Sequence, residues 1–340
     1  MPQNNRQKKS NRLKNILHLP LILVRSVVQL MYQYWYIKRS LQPYLSPFEK
    51  RNDGSLSKKD FDKIRKYYGL AVTGILGESL CVLRGKGMTS KERHTSTFQA
   101  SITGLIDDYF DEYGMTKERM QSFYMNPDTY NAQNDAEQLG LILLKESFKY
   151  HPDTNSLVKL MHEVNQAQAD SLLQEKGNLT TQQLKNLTLF KGGSSFLYFR
   201  SAFHHQITDK EKEALYLLGG ITQFSNDIFD VYKDREAAVQ TLLTSTRSIR
   251  EVRLYYNQLI QEFKSKLEGL PYKNVSKRKF FMQYSLMVFS RCFVCLDQLE
   301  SLEKTTDGAF QLHHYKREEL ICDMEKIGNL WKSLVYAVTI

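Results

Sequence analysis

The chain has 340 residues, 41% of them apolar, with 20 Tyr and 18 Phe against 2 Trp, and a net charge of +10. It is long enough to bury a sizeable core, and its four cysteines are too few for a disulfide framework at this length. The charge is local: residues 1–48 hold eight Lys or Arg and no Asp or Glu, and the rest is near balance at 39 basic to 37 acidic, which argues against a nucleic-acid groove across the body and for a local contact with anions such as a lipid surface.

Only 7 Pro and 17 Gly occur, so long helices can run with few breaks. No period-two alternation is sustained, and the pattern predicts an all-α protein. Residues 1–12 are expected to be disordered, with a first helix over about 14–41. Its apolar part, "ILHLPLILVRSVVQLMYQYWYI" (16–37), follows the basic "RQKKSNRLK". No small-residue cleavage site marks it as a signal peptide. His18, Pro20, Arg25 and two glutamines argue against a membrane span. Two readings stay open: an amphipathic helix packed on the body, or one lying on a membrane surface, a peripheral contact through residues 1–45.

Residues 42–55 read as a loop. Ser57 with Asp60 resembles a capping box that opens a helix over 58–83. Ser90 is the expected cap of the next helix, which Gly114 would end. A loop over 125–135 precedes helices near 134–150, 154–175 and 180–190. Gly192 and Gly193 mark a break or kink. Thr208 with Glu211 forms another capping box, starting a helix through about 235. Helices near 247–269, 276–303 and 310–337 complete the chain. Cys292 and Cys295 lie inside an apolar helical pattern and read as buried thiols in a reducing cytoplasm. The expected organisation is a basic tail and amphipathic helix over 1–48, then one catalytic domain over 49–340.

Two acidic clusters stand out. In "LIDDYFDEY" (105–113), Asp107 and Asp111 are one helical turn apart, with Asp108 and Glu112 in a parallel row. The repulsion among these acids costs stability, and a bound cation reverses its sign. In "NDIFDVYKD" (226–234), Asn226, Asp230 and Asp234 step by four along one helical face. Gln223 lies one turn before them. Both rows sit on helices with buried-type apolar residues, and both offer the hard oxygen ligands that Mg²⁺ takes.

"DDYFDE" resembles the aspartate-rich motif of class I isoprenoid synthases. "NDIFDVYKD" resembles the second metal motif of terpene cyclases, ND-x-x-S-x-x-K-E: Asn226, Asp227 and Lys233 match, Asp230 stands where Ser or Thr is usual, and Asp234 where Glu is usual. "LGGITQFSNDIFDVYKD" is also similar to the squalene and phytoene synthase pattern LG-x-x-x-Q-x-x-N-x-x-x-D-x-x-x-D, through Leu218, Gly219, Gln223, Asn226, Asp230 and Asp234. The Arg usual before the first of those acids is Phe229 here. The motif spacing and N-terminal extension are similar to those of bacterial large-terpene synthases.

The resemblance implies a single-domain class I terpenoid-synthase helical bundle around a central apolar cavity. It implies Mg²⁺ held by Asp107, Asp108, Asp111, Asn226, Asp230 and Asp234, gripping the diphosphate of a prenyl diphosphate substrate. Lys233, Arg235, Lys191 and Arg200 are the candidate donors to phosphate oxygens. The implied reaction ionises the substrate and cyclises or quenches the allylic cation, in a cytoplasmic enzyme with or without a peripheral membrane contact. The rival readings are a head-to-head prenyl transferase of the squalene or phytoene synthase type and a non-catalytic membrane-associated helical protein.

Overall fold

The structure, a computed structural model, describes the backbone of residues 2–340 apart from 112 and 113, and the side chains of residues 18–340 apart from 107, 108, 110–113 and 117. Among the described residues every regular element is a helix, as the absence of two-residue periodicity predicts. In chain order they are α1 (Pro2–Tyr36), a π-helical turn Ile37–Leu41, α2 (Gln42–Lys50), α3 (Lys58–Asp62), a π-helix Lys63–Gly77, α4 (Glu78–Arg84), α5 (Ser90–Asp111), α6 (Lys117–Met125), α7 (Asp135–Phe148) and α8 (Thr154–Ser171). Then come a 3₁₀ turn Leu172–Lys176, α9 (Thr181–Arg200), α10 (Asp209–Phe229), α11 (Val231–Glu236), α12 (Leu242–Ser245), α13 (Ile249–Glu268), α14 (Asn274–Tyr284), a π-helical turn Ser285–Phe289 and α15 (Ser290–Glu303). The chain ends with a 3₁₀ turn Leu312–His314, α16 (Arg317–Leu320) and α17 (Ile327–Thr339).

Several boundaries differ from the sequence reading, each for a local reason. The chain is helical from Pro2, and helix resumes over Gln42–Lys50, where Pro43 occupies the first turn, a position that needs no N–H donor. The cap of α5 is Thr89 rather than Ser90: the Glu92 amide donates to Thr89 Oγ1 at 3.2 Å and the Thr89 amide to Glu92 Oε2 at 2.9 Å. No break occurs at Gly192 and Gly193, which lie within the continuous α9. The helix expected through 235 breaks at Asp230 (φ −86°, ψ 8°). The one expected over 310–337 is cut short by a turn in which Asp323 accepts from the Glu325 amide and Asn329 Nδ2 donates to the Asp323 carbonyl.

The chain divides into two compact units. The N-terminal unit holds Leu23–Glu163 and Tyr198–Gln206. Its centre is α5, whose Phe98, Ile102 and Leu105 are fully buried, packed against the π-helix and α7. The 15-residue π-helix has a visible cause. Gln33 Nε2 donates to the Gly69 carbonyl at 2.9 Å, diverting an acceptor from the ordinary i→i−4 ladder.

The C-terminal unit holds Val164–Leu197 and Ile207–Ile340 with Met1–Ile22. α10 packs its Leu215, Leu218, Ile221 and Phe224 inward, with Phe224, Tyr256 and Phe293 in a chain of edge-to-face rings. Cys292 and Cys295 are free and buried, and burial pushes the Cys292 thiol up to about 11. Asn274–Glu303 has the length and mean hydropathy (1.2) of a membrane span, but 78% of that window is buried inside the molecule, where it serves as a core helix.

Candidate functional site

The described part of the candidate site is built where α9 meets α10 in the C-terminal unit. Two glycines make the meeting close: a Cβ on Gly192 would lie 2.1 Å from the Gly219 carbonyl oxygen, and a Cβ on Gly219 would lie 2.2 Å from that of Gly192. The two backbones therefore touch, which no other residue type permits. This crossing brings Thr188 and Lys191 of α9 beside Gln223 and Asp227 of α10.

Asp227 is the buried acid of the cluster, 7% exposed. Thr188 Oγ1 donates to its Oδ2 at 3.1 Å, and Gln223 Nε2 to its Oδ1 at 2.9 Å. Burial nevertheless pushes its carboxyl up to about 6, with Asp230 adding to the rise while the two hydrogen bonds and the Lys191 ammonium oppose it. Beyond the break at Asp230 the chain resumes as α11, with the Asp234 amide donating to the Asp230 carbonyl at 2.8 Å. The Asp234 carboxyl is pushed further, up to about 7, by burial and then by Asp227 and Asp230, with Lys233 and Lys191 opposing. Asp230 is partly exposed, with Lys233 Nζ 3.9 Å from its Oδ2. Asn226 is exposed on the same stretch.

Three carboxylates, two amides and a hydroxyl thus gather on one helix–helix junction with two lysines near them. Of the row read from the sequence, Asn226 stands at the end of α10, Asp230 at the break and Asp234 on α11, so the three do not share one continuous helix. Asp227, which that row skips, is the residue with the fixed partners. Thr188 gave no sequence signal, because a hydroxyl inside a helix reads as neutral. The donor chemistry is that of a hard divalent cation. Among the described residues no three His, Cys, Asp or Glu side chains close into a metal-holding group, so the cluster offers oxygens on either side of the α10 break rather than a complete shell.

The first acidic motif lies on α5, in the N-terminal unit. The side chains of Asp107, Asp108 and Asp111, and all of Glu112, lie outside the described residues. The four candidate cations divide. Lys191 and Lys233 stand near the acid cluster, Lys191 on α9 one turn after Thr188 and Lys233 with its Nζ 3.9 Å from Asp230 Oδ2. Arg200, expected as a phosphate donor, is buried in the N-terminal unit, and its Nη2 donates to the His205 carbonyl at 3.1 Å. Arg235, expected likewise, donates to the carbonyls of Leu312 at 3.2 Å and Tyr315 at 2.8 Å and lies over the Tyr232 ring. Both guanidinium groups therefore hold chain turns in place.

A cavity of about 660 Å³ opens along α9 in the same unit, lined by Leu173, Leu179, Leu187, Leu189, Phe190 and Tyr216 with Asp170, Gln183 and Asn186. Its wall is mostly apolar, and Leu189 and Phe190 occupy the turn between Thr188 and Lys191. No protein-family model matches the chain, and no curated protein or solved structure matches it significantly.

Proposed function

We propose that the chain is a Mg²⁺-dependent class I terpene synthase, with the class I helical-bundle fold and a single catalytic domain over residues 49–340. The observation that carries this reading is the cluster of Asp227, Asp230 and Asp234 at the α10 break, two of whose carboxyls are driven up by burial first and by neighbouring carboxylates after it. Such an arrangement costs the protein stability unless a cation shares it. The motif in which it stands supports the same reading.

In this proposal Asn226, Asp230 and Asp234 are Mg²⁺ ligands, and the resemblance of the first motif gives Asp107, Asp108 and Asp111 the same role. When bound, the ion offsets the charge that develops on a departing diphosphate. Lys191 and Lys233 donate charge-assisted hydrogen bonds to phosphate oxygens. Thr188 and Gln223 keep the Asp227 carboxylate oriented, and the closed α9–α10 crossing keeps all of these groups in register. The substrate's C–O bond breaks to an allylic cation and diphosphate, and apolar walls shield the cation from water until it cyclises or is quenched.

One observation also favours head-to-head coupling. Gln223, a residue of the squalene and phytoene synthase pattern, is bonded into the acid cluster. A single experiment separates the two: purified protein is incubated with Mg²⁺ and prenyl diphosphates of increasing chain length, and products are identified by gas chromatography–mass spectrometry. A product with the substrate's carbon number supports the synthase, and one with twice that number supports coupling. Absence of diphosphate release from every substrate would defeat both.

A further inference from the structure

The second half of α1 is inside out. Ser26 and Gln33, both buried, point into the N-terminal unit together with Gln29. Gln33 donates to the Gly69 carbonyl and to Thr97 Oγ1 (3.0 Å) and accepts from Arg93 Nη1 at 2.8 Å. Gln29 Nε2 donates to Glu78 Oε2 at 3.0 Å, and Glu78 pairs with Arg93. Both glutamines that argue against a span in the sequence thus bond within the protein, Gln33 through its oxygen and its nitrogen and Gln29 through its nitrogen.

The opposite face carries the apolar side chains outward. Val24, Val28, Met31 and Trp35, spaced i, i+4, i+7 and i+11, are 63%, 58%, 57% and 66% exposed. Val27, Tyr32 and Tyr34 widen the stripe. A contiguous apolar patch of this kind on a water-facing helix marks an interaction surface.

We infer that this outward face of α1 docks on an anionic lipid bilayer, with the helix lying in the plane of the headgroups. Charge complementarity selects this occupant. The eight cations of residues 1–48 are opposed by no acid, and Arg25, Lys38 and Arg39 are exposed on the stretch that carries the apolar stripe. Anionic headgroups attract such a segment. A second copy of the same strip would meet it with like charge. Tyr32, Tyr34 and Trp35 gather next to Lys38 and Arg39, and amphipathic rings beside cations are the side chains that settle at headgroup depth. The inference stands apart from the reading of the acidic cluster.

The test uses the full chain with Trp331 replaced by Phe, leaving Trp35 as the sole tryptophan, and vesicles of phosphatidylcholine with or without phosphatidylglycerol. Co-sedimentation with the phosphatidylglycerol vesicles, weakening as salt rises, and a blue shift of Trp35 emission are expected. The double variant V28E/M31E should bind more than about tenfold more weakly, with its circular dichroism melt unchanged because both positions face solvent. Trp35→Ala should weaken binding in the same direction. The inference is overturned if the protein stays in the supernatant with both vesicle types, if Trp35 emission does not move, or if V28E/M31E binds as tightly as the parent. It is also overturned if V28E/M31E instead converts a dimer to a monomer in sedimentation velocity without vesicle binding by the parent.

Discussion

Asp227 and Asp234 are acids that the folded chain would sooner keep protonated, and that preference has a sign. Their carboxyls lie at about 6 and about 7, above an ordinary Asp at about 4. Between those values the folded state binds more protons than the unfolded state, so their contribution to stability falls as pH rises through this window and is fully unfavourable above it. Asp234→Asn should therefore melt with the parent at pH near 4 and above it at pH 8, measured by thermal denaturation without metal. If the two melt together at pH 8, the carboxyl is not under strain. Adding Mg²⁺ with inorganic diphosphate should reverse the order, raising the parent's melting temperature more at pH 8 than at pH 6 and leaving Asp234→Asn unmoved. Asp227→Asn should lower diphosphate release by about a hundredfold, the scale of removing one preorganised electrostatic group, as read in a coupled phosphate assay.

At the scale of elements, the α9–α10 crossing is the feature that positions these acids. Gly219→Ala places a methyl group 2.2 Å from the Gly192 carbonyl oxygen, a backbone atom with no flexible end to swing aside. The expected loss is about 2 kcal/mol or more in urea unfolding, with catalytic activity falling alongside. Gly308, whose surroundings are open but whose φ is +76°, is the contrasting case, since Ala there is strained by backbone alone. In the other unit, Gln33→Leu would remove a partner from Thr97, from the Gly69 carbonyl and from Arg93 Nη1, leaving Arg93 its pair with Glu78. A buried polar group left without a partner costs about 1–3 kcal/mol, more when charged. Freed of its diverted carbonyl, the segment Lys63–Gly77 should also revert toward ordinary α spacing, visible as altered amide shifts over those residues.

These elements show what the sequence makes legible. The box at Ser57 and Asp60 and the cap that Thr208 gives the Glu211 amide were readable because donor and acceptor are three residues apart, and the all-α class because periodicity is local. The π-helix was not, since its cause is a side chain from α1, well outside the segment's own sequence window. Gly192 and Gly193 were legible as special but not as to use: a glycine pair reads alike whether it breaks a helix or lets another helix approach. At the site, the spaced row Asn226, Asp230 and Asp234 was visible, whereas burial of Asp227 and its bond to Thr188 depend on which neighbour covers which face.

For the whole molecule, the two units carry opposite acid responses. In the C-terminal unit, Asp227 and Asp234 take up protons readily. In the N-terminal unit, burial holds His151 down to about 4, so the unfolded chain protonates it first and stability falls as pH drops from about 6.5, the ordinary histidine value, toward about 4. Burial works against the Glu92 charge too, but the Arg84 guanidinium and the amides of Thr89 and His204 hold its carboxyl down to about 2. That contribution drains away as pH falls below the ordinary glutamate range of about 4. Hydrogen exchange at pH between about 4 and 5 should therefore show Leu23–Glu163 opening before Ile207–Ile340. Simultaneous opening, or the reverse order, would contradict the assignment.

The seam between Gly192 and Gly219 has one more consequence, for how this chain can be changed. Two main chains in contact leave no side chain whose size could be traded to widen or narrow the gap, so the seam behaves as a fixed gauge block. Variation is free on the neighbouring cavity wall: Leu173 of the 3₁₀ turn and Leu187 and Phe190 of α9 can be enlarged or trimmed to reshape it without shifting Thr188 against Asp227. The cavity wall and the acid cluster are thus set by different side chains, and a library confined to the wall should retain the acid cluster's titration unaltered.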